Sequence, residues 1–338
     1  MKIHQPTRLL GAILHSRLMH HVSELYFRNT SSIYPDELAI LCDVVKQNKS
    51  LKTVTLSHNE IYGEVPMLAE AIKQSNSLAT LNVRRNTIDD VGASAIADAI
   101  AQSKSLTEVD LCGNSIGVVG ASAIAEAIKS SDSLTSVDLS WNSIGAVGAS
   151  ALADAIKQST SLITLNLAHN SIGKKGAVAI AEAIKQSQSL TKVDLSRNSI
   201  SNHGASAIAY AAQQNKSLLT LILRSNSIGD LGASAIAEAI KQSKSLATVD
   251  LCDNSIGAIG ASAIAEAIKL SDSLTSVDLS WNSIDDEGSY AIAEAIKQSK
   301  FLTEVYLGWN ELSAIGASAI AKTIKQNHPK VDLKINYS

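Results

Sequence analysis

Aromatic residues are scarce in this chain: 338 residues include only 3 Trp, 7 Tyr and 2 Phe. A core filled by large rings is therefore excluded, and Leu, Ile, Val and Ala must fill thin, closely packed layers. Cysteine is scarcer than a disulfide framework requires, at 3 residues, which points to a reducing compartment. Positive charge is not in excess either. A formal net charge of -3 and a pI near 6.2 lack the basic stripe of a nucleic-acid binder and the polybasic cluster of a membrane anchor. No apolar run approaches the ~18 residues that cross a bilayer. The short run Leu9 to Leu14, flanked by Arg8 and Arg17, is a poor secretory signal. The chain is expected in the cytoplasm, or exported by a Sec-independent route into a host cell, with no nucleic acid and no membrane among its partners.

What the chain has is a repeat of 28 residues. Leu recurs at 51, 78, 106, 134, 162, 190, 218, 246, 274 and 302, with Asn eight residues after each, and a degenerate copy at Val22, Leu25 and Phe27 precedes them. That makes about eleven repeats. Positions one, four, six and eleven are apolar and point to a core around a short strand, and strands of successive repeats should pair in parallel. The Asn at position nine sits where the chain leaves the strand, and its amide can satisfy backbone groups that the turn leaves unpaired. A Gly and a helix follow. In the repeat 106–133 the residues Ala121, Ile124, Ala125 and Ile128 share one helical face, while Glu126 and Lys129 face solvent. Strands stack more closely than helices can, so the expected architecture is an α/β solenoid: a horseshoe with a concave parallel sheet and convex helices. Residues 1–21 form the expected N-terminal helical cap, with Leu9, Leu10, Ile13, Leu14, Leu18 and Met19 as its apolar face. Residues 22–330 hold the repeats, and 331–338 a C-terminal strand cap.

These motifs resemble the ribonuclease-inhibitor subclass of leucine-rich repeats, over roughly residues 22–335. The run Asn-Ser-Ile-Gly-x-x-Gly-Ala-x-Ala-Ile-Ala-x-Ala-Ile-Lys, followed by Ser-Leu-Thr-x-Val-Asp-Leu, looks especially like the repeats of NOD-like receptors. The subclass also includes the Ran GTPase-activating proteins. The resemblance implies a protein-binding surface, and the near-uniform repeats resemble those of bacterial effectors that act on host proteins. A longer period overlies the first. Repeat 106–133 matches 246–273 at 22 of 28 positions and 134–161 matches 274–301 at 19 of 28, so a block of five repeats was duplicated.

Two phases of the repeat project from the strand and its turn. Position five carries Asp110, Asp138, Asp194, Asp250 and Asp278, which Asp332 continues, and position three adds Glu108 and Glu304 against Lys192. This row either steers a basic protein partner or is a solvated face inherited with the consensus. Position eight carries all three tryptophans, Trp141, Trp281 and Trp309, with His58, Arg85, His169 and Arg197 at the same phase. Trp is a leading residue of binding hot spots. The indoles either meet a partner or merely cover one another. The expected contact set is therefore Trp141, Trp281, Trp309, the five aspartates, Glu304, His169 and Arg197. Position seven supplies Arg28, Arg84 and Arg224, and with His58, Arg85 and Arg197 the N-terminal part of the concave edge is locally basic.

No catalytic constellation is legible, and neither a cofactor nor a metal site: the eight His show no His-Glu-x-x-His spacing, and no P-loop, Gly-x-Ser-x-Gly or Cys-x-x-Cys occurs. Cys112 and Cys252 at position seven are expected to be exposed thiols, and Cys42 a small core residue. The leading expectation is a monomeric, non-enzymatic module that binds a protein on its concave face. Two alternatives stand beside it. One is a GTPase-activating protein similar to the Ran regulator, which a panel of small GTPases would test. The other is a self-associating scaffold, which light scattering at two concentrations would test.

Overall fold

The computed structural model describes residues 2–4, 22–28, 33–327 and 331–334. Two compact units divide it, Met1–Asn170 and Ser171–Ser338. In the first, strands β1 (Lys2–His4), β2 (Glu24–Tyr26), β3 (Thr53–Thr55), β4 (Thr80–Asn82), β5 (Glu108–Asp110), β6 (Ser136–Asp138) and β7 (Thr164–Asn166) each pair in parallel with the next. In the second, β8 (Lys192–Asp194), β9 (Thr220–Ile222), β10 (Thr248–Asp250), β11 (Ser276–Asp278), β12 (Glu304–Tyr306) and β13 (Asp332–Lys334) do the same. A helix of 10 to 14 residues follows each strand from β2 to β12, Val118–Ser130 and Ala258–Leu270 being examples. Each unit is thus a stack of strand–turn–helix repeats, the α/β solenoid expected.

The apolar phases of the repeat fill the core. Leu134, Val137, Leu139 and Ile144 are all at most 1% exposed, and the degenerate first copy buries Val22, Leu25 and Phe27 equally. Each such side chain contributes about 1.5–3 kcal/mol. The helices present small residues to one another. A Cβ at Gly148 would stand 2.6 Å from Ile144 Cγ2 and 3.1 Å from Ala121 Cβ, so only Gly lets that helix start sit where it does. At the ends of the helices from Pro35–Gln47 to Asp286–Gln298 a Ser or Asn turns the chain toward the next strand. Ser131 Oγ accepts the Leu134 N–H at 3.2 Å, and Ser133 donates to Leu106 O of the preceding repeat at 2.9 Å.

The ends differ in legibility. The anticipated C-terminal strand is present as β13, with Val331 buried. At the other end β1 is an additional strand, in register Lys2↔Glu24 through His4↔Tyr26. The proposed helical face from Leu9 to Met19 lies outside the described residues. Cys42 is a core residue as expected. The expectation of exposed thiols at Cys112 and Cys252 is corrected: both are buried, at 5% and 2%, each beside the aspartates of its own and the next strand. Burial pushes the Cys252 thiol up to about 12 and raises Cys112 likewise, so neither is a ready thiolate.

Candidate partner-binding face

The turn after each strand is held by its asparagine. Asn142 Nδ2 donates to Leu139 O at 3.0 Å, Ser140 O at 3.2 Å and, across to the preceding repeat, Leu111 O at 3.1 Å; its Oδ1 accepts the Ile116 N–H at 3.0 Å. This side chain therefore closes its own turn and ties two repeats together. The residue just before it pays a conformational cost. Every position-eight residue from His58 to Trp309 is left-handed, with φ between 53° and 68°. The gain is one more rung of the ladder, as when Trp141 N–H donates to Ala168 O at 2.8 Å and Trp281 N–H to Gly308 O at 2.9 Å. Gly or Asn suits this backbone best, and other side chains strain it by roughly 1 kcal/mol. Only Gly113 among these positions takes the easy solution.

Trp281 (φ 55°) and Trp309 (φ 58°) therefore stand at backbone positions that disfavour them, and still leave 49% and 42% of their surface exposed. Their rings stack in the second unit with centroids 4.6 Å apart and planes inclined by 15°. In the first unit Trp141, 50% exposed, stacks on His169 with centroids 3.8 Å apart. The indoles do cover their neighbours, yet all three tryptophans stay exposed, by 42% to 50%. Arg197 is exposed at the same phase in the second unit, with its N–H on Arg224 O. The structure thus brings Trp281 to Trp309 and Trp141 to His169.

The five aspartates are half-buried, and each has a local job that the sequence did not show. Asp138 Oδ1 accepts the Ser140 N–H at 2.8 Å, Asp278 Oδ1 the Ser280 N–H at 2.8 Å, and Asp110, Asp194 and Asp250 bond the residue two further on in the same way. The second oxygen is taken up at Asp110 by Asn82 and at Asp138 by Asn166. Burial, with Asp278 adding to it, raises Asp250 to about 6, and burial raises Asp110 too. Glu304 accepts from Ser276 Oγ at 3.0 Å on the neighbouring strand. The row is consequently part turn-former and part charge.

Two groups gather possible metal donors: Asp110, Cys112 and Asp138, and their duplicates Asp250, Cys252 and Asp278, each with donor atoms within 4.8 Å. Their chemistry fits a cation poorly. The thiols stay protonated, one carboxylate oxygen of each Asp is committed to a backbone N–H, and Arg84 already donates to Cys112 Sγ at 3.7 Å. Elsewhere in the first unit Arg28, Ser57, His58, Asn82 and Arg84 line a small open pocket. On the helical side Val91, Val119 and Val147 are exposed by 65% or more in the first unit, as are Leu231, Ile259 and Ile315 in the second. The sequence reading assigned these residues no role, although their shared phase marks them.

The chain belongs to the leucine-rich-repeat family. It matches the family described as Leucine Rich repeat at 74–97, 102–125, 130–153, 158–181, 186–209, 214–237, 242–265, 271–293 and 298–321. Such a repeat array is a protein-protein interaction module. Among solved structures, an internalin (inlF) from Listeria monocytogenes matches with a TM-score of 0.54 at 14% identity, over 98% of this chain and 94% of that one. That likeness concerns the fold alone. Leiomodin-1 Actin-Binding Site 2 matches at 17% identity over 48% of this chain and 79% of that one, with a TM-score of 0.33, too low to carry an argument. No curated protein matches the sequence. Among the described residues no helix is long and apolar enough to cross a membrane.

Proposed function

We propose that the chain captures a basic protein partner on its sheet face, with the stacked Trp281–Trp309 pair at the centre of the contact. The observation that carries this reading is the pair itself: two exposed, stacked indoles held on left-handed backbone that Gly or Asn would occupy with less strain. Stacking returns only about 0.5–1.5 kcal/mol, comparable to the backbone cost, so stability gives little reason to keep both. A partner side chain laid on the outer indole face supplies one. Asp278 and Glu304 lie on the same two strands and favour a cationic group there. Trp141 and His169 form a second, smaller surface of the same kind, which Asp110 and Asp138 serve in the first unit.

The test pairs wild type with the Trp281→Ala, Trp309→Ala double variant in pull-downs from native and candidate host lysates, read by mass spectrometry. A basic protein retained by wild type and lost by the folded double variant is the expected result. Its affinity should fall at least about thirtyfold, since a hot-spot Trp typically contributes 2 kcal/mol or more. A melt of each variant is taken alongside. A double variant that folds and retains the same proteins at the same level overturns the reading, and the exposed apolar residues of the helical side become the surface to test.

A further inference from the structure

At two position-seven serines the residue two before accepts the hydroxyl. Ser140 and Ser196 donate their hydroxyls to Asp138 Oδ1 and Asp194 Oδ1 at 2.5 and 2.6 Å. Ser57 has Thr55 at that place and so lacks the carboxylate. Its hydroxyl makes no hydrogen bond among the described residues, although Ser57 is only 4% exposed and lines the pocket it shares with Arg28, His58, Asn82 and Arg84. A second donor there is idle: Arg84 Nε is buried without a hydrogen-bond partner. A buried donor such as Arg84 Nε left unpaired is costly, and an acceptor that enters the pocket and reaches it removes that cost.

The charge around these donors is predominantly positive. Arg28, Arg84 and Arg85 form no ion pair with a carboxylate among the described residues. Arg28 lies over the Tyr26 ring at 5.4 Å, and Arg84 Nη2 reaches Cys112 Sγ. Arg85 Nη1 stands 3.3 Å from His58 Nε2, which therefore serves as the acceptor. Burial and the two neighbouring guanidiniums hold His58 below its usual value, which keeps it neutral. Asp110 feels Arg84, but its two oxygens are occupied by the Cys112 N–H and the Asn82 amide.

We infer that this pocket binds a phosphate monoester, with Arg28, Arg84 Nε and the Ser57 hydroxyl as its donors. Two guanidiniums at the pocket, on Arg28 and Arg84, exceed what a singly charged carboxylate would neutralise. A phosphate monoester brings a charge of about −1.5 to −2 and three strong acceptor oxygens, and the planar guanidinium fork matches them. The source is either free phosphate or a phosphorylated side chain on a protein. The site uses only first-unit residues and stands independently of the aromatic pair in the second.

The full chain is titrated at pH 7 with sodium phosphate, and with sodium chloride at equal ionic strength, by calorimetry and by histidine NMR. Phosphate should bind saturably and move the His58 ring signals, with chloride moving them far less. Arg84→Gln should weaken binding at least about tenfold and Ser57→Ala a few-fold, as loss of charged and neutral hydrogen bonds implies. Arg224→Gln in the second unit should leave it unchanged. If Arg84→Gln melts early, Arg28→Gln at the exposed rim replaces it. Equal His58 shifts in phosphate and chloride overturn the inference, as do Arg28→Gln and Ser57→Ala variants that bind like wild type. A phosphoserine peptide that binds more tightly than both inorganic phosphate and its unphosphorylated form assigns the site to a modified protein. Peptide and phosphate binding equally assign it to the free ion. A single-stranded oligonucleotide that outcompetes both removes the monoester assignment.

Discussion

Asn170 shows how much one side chain carries in a repeat of this kind. Its Nδ2 donates to Leu139 O at 2.8 Å, Leu167 O at 3.1 Å and Ala168 O at 3.2 Å, while Oδ1 accepts from Ile144 N–H at 3.4 Å. The residue is completely buried, so water cannot replace what is lost. Asn170→Ala should cost about 2–3 kcal/mol, against less than about 0.5 kcal/mol for an exposed change such as Lys157→Ala. Urea denaturation of the two variants checks this; equal midpoints would mean that the turn is held by its neighbours. The role of this residue was legible in the sequence because the Asn recurs in register. Its reach into the preceding repeat was not, since the partner is a backbone carbonyl that no pattern of side chains marks. The burial of Cys112 and Cys252 escaped for a related reason: position seven lies outside the apolar phase, and the side chains beside each thiol include one from the next repeat, Asp138 or Asp278.

The helices carry a device of the same order. Asp230, in the first turn of Asp230–Gln242, accepts with Oδ1 from Gly257 N–H and Gly260 N–H, both at 2.8 Å, at the start of the next helix. Asp90 does the same for Gly117 and Gly120, at 2.7 and 2.9 Å. These bonds satisfy amide groups that a helix start leaves open and place a negative charge at the positive end of the neighbouring helix. Asn202 performs the task without charge, bonding Gly229 N–H at 2.8 Å and Gly232 N–H at 3.1 Å. Asp230→Ala should therefore destabilise by about 1–2 kcal/mol and Asp230→Asn by much less. Chemical denaturation of the pair separates the contribution of the hydrogen bonds from that of the charge. An Asp230→Ala variant as stable as wild type would show that solvent caps the helix equally well. The helices themselves were plain from the Ala-rich period. This capping was hidden because acceptor and donor belong to different repeats, and self-alignment shows what repeats share, not what passes between them.

For the molecule as a whole the open question is what the aspartate row does, since the duplication that copied Asp110 and Asp138 into Asp250 and Asp278 also copied the turn that each one forms. The structure separates the two jobs. Turn formation needs only Oδ1, and the repeats already contain the neutral control: Asn82 Oδ1 accepts the Arg84 N–H at 3.2 Å and Asn166 Oδ1 the Ala168 N–H at 3.0 Å. Replacing Asp110, Asp138, Asp194, Asp250 and Asp278 together with Asn should thus leave the fold intact while removing the row's charge. If the row steers a basic partner, association should slow in this variant and its rate should become nearly independent of salt, with dissociation changed less. Acidity provides a second handle. The folded protein holds the Asp250 proton more tightly than an unfolded chain would, so this carboxylate is charged only above about pH 6. Lowering the pH from 7 to 5 should therefore slow association of the wild type and have less effect on the variant. Stopped-flow or surface-plasmon rates over a range of salt and at the two pH values decide the matter. A wild-type on-rate indifferent to salt, or one that the five substitutions leave unchanged, would make the row a turn-former alone, retained for the backbone amides it bonds rather than for any partner.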